Sequence, residues 1–422
     1  VALTAYEDRP AGRHAALPPG GLIRRIYGPR AGDALAFSMS TYAMPLLVLT
    51  ITNSASLTGL AFALEWTPRI AAFVLAGNVV DRRGAAIVGF LSSLGRAFVV
   101  AGCAVILTML PRGTTQTSAL LVLVALTGVL SQFGFVANEA VGAVVVRRGE
   151  ARPAGIQAVL VGIDQTATVI GPLLAGFLIL AGPGWMLGCL SVVSLSAAVL
   201  ALQTPPTPLR VTSKGRAGGA GGLRTGLRTL ARLPALGWLV GGLTCSNLAL
   251  GLLQSASPVI VVETFGRSPA SVGTMWSVAA VATLLAITCC RMVLSRFGLW
   301  AAGVMSAALA SVACLGVPQA SSFLSYTILV ALFMAGDGGL TVVLRTVRSM
   351  VVPYTALGAT LSLTMLILLL PFPVAGVLVA LTPAADLDRA VLSCAALQAV
   401  ALAVTFIRLR REPVLRLVAG QR

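Results

Sequence analysis

The sequence predicts an all-α membrane protein of twelve transmembrane helices, set in two pseudo-symmetric six-helix halves. Three observations carry this. The 422 residues are 57% hydrophobic and only 10% charged, with a mean hydropathy of +0.94, whereas a soluble domain has about a quarter of its residues charged. Long apolar runs alternate with short basic breaks, the pattern of a polytopic membrane protein. The two halves also repeat each other weakly across one long polar break.

Taken in order, the chain opens with a cytoplasmic tail, 1–30. It carries Arg9, Arg13, Arg24, Arg25 and Arg30 and lacks the apolar stretch of a signal peptide. A start at Val1 fits a non-standard start codon or a trimmed chain, and the sequence leaves both open. The N-terminal half, 31–202, holds apolar runs near 31–52, 57–80, 85–110, 118–146, 155–181 and 184–202. Each can cross a hydrocarbon layer of about 30 Å, and the longer ones fit by tilting. The linker, 203–234, begins Pro205-Pro206-Thr207-Pro208 and continues GRAGGAGG, a flexible composition. LRTGLRTLARL (223–233) follows, with Arg224, Arg228 and Arg232 every four residues and Leu223, Leu227 and Leu230 on another face. That spacing predicts an amphipathic helix lying on the inner leaflet. The C-terminal half, 235–409, holds runs near 235–262, 269–291, 299–318, 322–344, 355–382 and 386–407, and a cytoplasmic tail, 410–422, closes the chain.

Basic residues set the orientation. With the N-terminus inside, 25 of the 30 lie on inner segments, three (Arg112, Arg267, Arg389) on outer loops, and two (Arg69, Arg96) within spans. The positive-inside rule then puts both termini in the cytoplasm, at a bacterial inner membrane. The net charge of +17 does not indicate nucleic-acid binding, because it sits in short clusters at the ends of apolar runs with no basic domain. The seven cysteines fall inside apolar segments, where they read as small core hydrophobes; none has a zinc spacing with His14, the single histidine. There is no G-x-x-x-x-G-K-[ST] loop for ATP and no nucleophile–base pair, so an enzyme is not expected. No cofactor or resident metal is implied.

The halves align at a constant offset. Arg82, Gly84 and Gly89 of DRRGAAIVG match Arg296, Gly298 and Gly303 of SRFGLWAAG. Glu139 precedes Arg147 by eight residues, as Asp337 precedes Arg345. Two related six-span halves are the trace of a rocking transporter.

Three motifs resemble the major facilitator superfamily over nearly the whole chain. GNVVDRRG, with Gly77, Asp81, Arg82, Arg83 and Gly84, resembles its Gly-x-x-x-Asp-Arg-x-Gly loop. The resemblance implies a latch, in which Asp81 caps a helix of the other half and the arginines bind acidic or phosphate groups. A carboxylate at a helix N-terminus and arginines at inner-leaflet phosphates have the same physical logic. Ala85 and Ala86 stand where further basic residues are usual. GIDQTATVIGPLLAG (162–176) resembles the exporter motif Gly-x8-Gly-x3-Gly-Pro-x-x-Gly-Gly, through Gly162, Gly171, Pro172 and Gly176. Small residues there allow close helix packing. Residues 31–70 resemble the start of the enterobactin-exporter and macrolide-efflux branch, through Gly32-Asp33, Thr52-x-Ser54 and Pro68-Arg69. One departure is that SQFGFVANEAVGAVVV (131–146) lacks the fourth-span arginine of many proton-coupled drug antiporters.

Ionisable groups inside spans are costly and so mark function. The acids are Asp33, Glu65, Glu139, Asp164 and Asp337, and the bases Arg69 and Arg96. Glu65 and Arg69 are spaced i,i+4 and suited to pair. Glu139 and Asp337 lie about 12 Å from the inner arginines by helix rise, and the resemblance places their spans along a central cavity, at equivalent depth in the two halves. Asp164 shares a helix face with Gln157, Thr168, Gly171 and Ala175, a face expected to meet the other half. A carboxylate away from water favours its neutral form, so Glu139, Asp337, Asp164 and Asp33 are candidates to carry a coupling proton. The expected function is proton-coupled export of small amphiphilic or siderophore-like molecules by alternating access. An importer of a metabolite or iron chelate is the alternative, and a non-transporting receptor leaves the buried acids unexplained. The expected partners are a small-molecule substrate, protons and the phospholipid bilayer, and the expected unit is a monomer.

Overall fold

Proline, glycine and short polar residues decide where each helix starts and stops. Pro29 stands where the first span passes from a π-helical turn, Ile23–Tyr27, into its α-helical part, Gly28–Thr52, in the first turn of the latter, a position proline favours. That span ends at Asn53, in the left-handed region at φ 49°, and the next residue, Ser54, caps the following helix by accepting from the Leu57 N–H at 3.3 Å. Ser322 and Ser325 form a reciprocal capping pair at the start of a later span. The protein is seen as a computed structural model that describes residues 23–109, 113–147, 153–204, 220–353 and 356–410.

Among the described residues, twelve helices are long and apolar enough to cross a membrane. They are α1 (Ile23–Thr52), α2 (Ala55–Arg83), α3 (Ala85–Met109), α4 (Thr114–Gly142), α5 (Ala158–Ala181), α6 (Pro183–Ala201), α7 (Pro234–Thr264), α8 (Pro269–Cys290), α9 (Met292–Gln319), α10 (Phe323–Val351), α11 (Leu357–Leu381) and α12 (Ala384–Leu409). No strand occurs among the described residues. The observed helices match the expected runs with one consequential difference. α1 begins at Ile23 rather than 31, so Arg30 belongs to a buried helix and not to a polar tail. The expectations for residues 1–22, for the Pro- and Gly-rich stretch 205–219 and for 411–422 fall outside the described residues.

The repeat has a backbone counterpart. Gly84 ends α2 at φ 86°, and Gly298, its match 214 residues on, kinks the continuous helix Pro269–Gly316 inside the first turns of α9 at φ 83°. Both positions need a left-handed conformation that a side chain would strain.

Within the halves, α1 packs on α5, α2 on α4 and α3 on α6, while α7 packs on α12 and α11. The halves meet mainly along α2–α11 and α5–α8. These contacts lie at the end of the molecule away from the linker, here called the far side. There, a Cβ on Gly376 would come within 2.5 Å of the Ala63 nitrogen and 2.8 Å of the Gly59 carbonyl. A Cβ on Gly176 would meet the Pro269 carbonyl at 2.9 Å, and Gly273 lies against the Pro172 carbonyl. Glycine at these positions allows backbone-to-backbone contact. Large side chains such as Phe98, Trp185 and Leu381 face outward and are exposed, as expected of helices whose outer surface meets lipid.

The amphipathic helix of the linker forms at Ala220–Arg232. Leu223, Leu227 and its three arginines are exposed. It touches the protein through Gly226, which lies against Ala359 and Leu363 at the start of α11, and through half-buried Leu230, which packs on the core. The predicted amphipathic helix is therefore also docked, along the edge of its leucine face, where Gly226 and Leu230 stand four residues apart.

Candidate functional site

A cavity of about 260 Å³ lies where the halves face each other, lined by residues of α1, α2, α4, α5, α7 and α11. Its charged lining is Arg30, Asp33 and Asp164. Its aromatic lining is Phe37, Tyr42, Trp66, Phe135 and Phe372.

Arg30 holds the linker-side rim. Its Nε donates to Asp164 Oδ1 at 2.7 Å and its Nη2 to Asp164 Oδ2 at 2.5 Å, a two-pronged pair across α1 and α5. The same Nη2 donates to Glu139 Oε1 on α4 at 2.5 Å. The Arg30 side chain is 7% exposed, against 34% for Asp164 and 56% for Glu139. The cluster is thus open to solvent on its acidic side.

One turn further along α1, Asp33 is held by two other helices. Arg96 Nη2 of α3 donates to Oδ1 at 2.7 Å, with Ser93 Oγ at 3.4 Å, and Asn138 Nδ2 of α4 donates to Oδ2 at 2.8 Å. Arg96 is fully buried and also donates to Ser194 Oγ at 3.0 Å and Ser131 Oγ at 3.4 Å. Gly134 makes room for the carboxylate, since a Cβ there would stand 3.0 Å from Asp33 Oδ1.

Glu65 and Arg69 pair at 2.9 Å as their spacing predicts, both buried behind the cavity wall. The Arg69 guanidinium lies between the rings of Phe37, at 4.8 Å, and Trp66, at 4.4 Å. Trp66 stacks on Phe372 of α11 with centroids 4.3 Å apart, and Tyr42 meets Trp276 of α8 at 5.3 Å. Both aromatic pairs cross between the halves on the far side of Asp33.

Glu139 and Asp337 do not occupy equivalent places. Glu139 is exposed and bound to Arg30. Asp337 lies outside the cavity lining, accepts from Ser246 Oγ at 3.0 Å and has no cationic partner among the described residues. Gln398 Nε2 reaches Ser246 at 3.4 Å, so α7, α10 and α12 share this polar cluster. Equal spacing from an arginine fixes depth but not the direction in which a side chain points.

The face of α5 that carries Asp164 is also corrected. Asp164 and Thr168 line the cavity, and Gly171 packs on Ser38 of α1, within the same half. The neighbouring face meets the other half, where Ser277 Oγ of α8 donates to the Val169 carbonyl at 2.6 Å and Pro172 and Gly176 touch α8. Positions 169, 172 and 176 are themselves spaced three and four apart, so they make a second stripe. Gly162 has open space around it.

Asp81, Arg82 and Arg83 are exposed at the linker-side end of α2. No hydrogen bond or ion pair joins Asp81 to the C-terminal half among the described residues, so the expected cap is not made in this conformation. A Cβ on Gly77 would meet nothing within 4 Å. Among the described residues no group of three or more His, Cys, Asp or Glu side chains could hold a metal ion.

The profile of the Major Facilitator Superfamily matches residues 31–376, and the chain belongs to that superfamily. Several solved structures share the fold at low identity. A bacterial homologue of the iron transporter ferroportin in an inward-facing state has a TM-score of 0.71 at 17% identity, over 93% of this chain and 98% of that one. Its outward-facing form scores 0.61. The nucleoside transporter NupG scores 0.72 at 13% identity, over 93% and 99%. A bacterial metal transporter scores 0.68 at 15% identity, over 94% and 100%. No curated sequence matches the chain. Membrane transport on a twelve-helix fold is the function these likenesses support, and their variety singles out no branch of the superfamily.

Proposed function

We propose that the chain is a secondary active transporter of a bacterial inner membrane, working as a monomer and exporting small amphiphilic molecules in exchange for protons. The observation that carries this is the cavity at the junction of the two halves, closed toward the far side by glycine-mediated helix contacts and lined by both charge and aromatic rings. Alternating access needs such a site between two bodies that can rock.

Proton coupling rests on the acids. Arg30 is shared by Asp164 and Glu139, so protonating either carboxylate frees the arginine toward the other. Asp337 is the candidate in the C-terminal half, held by a neutral serine alone. The export direction and the siderophore-like class of cargo rest on the resemblance of GIDQTATVIGPLLAG and of residues 31–70 to exporter motifs. The latch reading of Asp81 rests on its loop motif.

The test is transport in proteoliposomes under an imposed pH gradient, with a panel of amphiphilic dyes. Accumulation should follow the gradient in the export direction. Glu139→Gln and Asp337→Asn should abolish gradient-driven accumulation, while downhill exchange survives because cavity and gates remain. Full pH-driven transport by both variants and by the double variant would move the coupling proton to Asp33 or Asp164. Flux in the opposite direction would make the protein an importer.

A further inference from the structure

Among the described residues, the ion pairs around the cavity do not all balance. Arg96 neutralises Asp33, and Glu65 neutralises Arg69 behind the wall. Arg30, by contrast, is a single cation shared by two carboxylates, Asp164 and Glu139, whose side chains are more exposed than its own. Among the described residues, this cluster therefore has one negative charge in surplus. About 10 Å deeper, by the rise from residue 30 to residue 37, the wall becomes aromatic at Phe37, Trp66 and Phe372. The wall also has unused hydrogen-bonding capacity. Ser38 Oγ and Trp66 Nε1 are buried without a partner, and both residues line the cavity while being at least nine-tenths buried.

A carboxylate surplus at one end and stacked rings at the other match a ligand with a cationic head and an aromatic body. The head gains an ion pair that Arg30 does not fully supply, and rings attract both aromatic groups and cations. An anionic chelate would meet the surplus with like charge. The geometry points to aromatic organic monocations as the substrate class, the head at Asp164 and Glu139 and the ring against Trp66 and Phe372. This rests on the transport reading above for its meaning as a substrate, but the binding can be measured without it.

The experiment uses the purified full chain in detergent and equilibrium dialysis of three probes of one shape. They are phenylbutyl-trimethylammonium, the uncharged hydrocarbon with carbon in place of its nitrogen, and phenylbutanesulfonate. The cation should bind about tenfold or more tighter than either of the others, a difference of about 1.4 kcal/mol. Asp164→Asn should remove that preference and leave the hydrocarbon's affinity unchanged. Glu139→Gln, at an exposed position that cannot disturb the core, should do the same and serves if Asp164→Asn fails to fold. Phe372→Leu should weaken cation and hydrocarbon alike. Equal binding of all three probes, tighter binding of the sulfonate, binding of none, or a preference that persists in both carboxyl variants would overturn the assignment. Counterflow in proteoliposomes separates the two claims. Cation binding with no movement of any solute refutes transport and leaves the binding class standing. Movement of the sulfonate but not the cation refutes the class and leaves transport standing.

Discussion

Two ion pairs of equal length have very different consequences. Arg96–Asp33 and Arg389–Asp386 both close at 2.7 Å, but the first is buried and the Arg389 side chain is 86% exposed. Removing one partner of a buried pair leaves a charge with no water and costs about 3–5 kcal/mol, whereas an exposed pair is worth about 0–1 kcal/mol. Asp33→Asn should therefore lower the melting temperature of the purified protein clearly, with partial recovery in the double variant Asp33→Asn, Arg96→Gln. Asp386→Asn should leave it unchanged, and an unaltered melting curve for Asp33→Asn would show that Arg96 is satisfied by its serines alone. The sequence marks Asp33 and Arg96 as costly, yet not as partners, because 63 residues separate them and two helices, α1 and α3, must be turned correctly to join them. Glu65–Arg69 is legible because four residues on one helix fix the geometry locally. Arg30 reads from its polar surroundings as part of the tail, which the structure corrects. Pro29, in the first turn of the α-helical part that begins at Gly28, is the available signal that the helix already includes Arg30.

Among elements, the span count is legible for a simple reason: an apolar run that exceeds the bilayer's thickness has one way to bury its backbone. Which face of a helix meets which neighbour is not, because faces of wholly apolar helices differ little in composition. The stripe on α5 at Val169, Pro172 and Gly176 shows this, lying beside the face that carries Asp164. The linker helix is a second case. Its leucines and arginines predict an amphipathic helix on the membrane surface, but Gly226 and Leu230, at the edge of the leucine face, dock on the protein, and a Cβ on Gly226 would come within 2.7 Å of the Ala359 carbonyl. Gly226→Leu should push the helix off α11, overpacking that costs roughly 1–3 kcal/mol. Trypsin should then cut faster at Arg224, Arg228 and Arg232 in vesicles that expose the linker, with protein levels unchanged. Cleavage at the original rate would mean that the contact does not hold the helix.

The whole molecule combines both scales. The arginine split predicts that the tails and the linker lie in the cytoplasm; reporter fusions after residues 150, 215 and 422 should then all read cytoplasmic, and a periplasmic signal at any of them would sink that topology. In this conformation the halves touch along α2–α11 and α5–α8 at the far side, while the acids of the rim at the linker side are exposed. The opposite state must release the glycine contacts and bring the linker-side ends together. The symmetric sequence repeat announces two bodies, but their present pose depends on contacts such as Trp66–Phe372, between residues in different halves, that no local pattern encodes. Asp81 is exposed now and stands at the end of α2 that would close. If it then caps a helix of the C-terminal half, the contact contributes about 0.3–1 kcal/mol, and about 2 kcal/mol when partly buried. Energies of that size shift a two-state equilibrium severalfold. Asp81→Asn should accordingly insert normally, transport more slowly and spend more time open to the linker side. A cysteine placed at Ser38, which lines the cavity, in a chain without its seven native thiols, would report this as faster labelling by an impermeant maleimide from the linker side. Normal transport with unchanged labelling would leave the arginines as a membrane anchor and remove Asp81 from the mechanism.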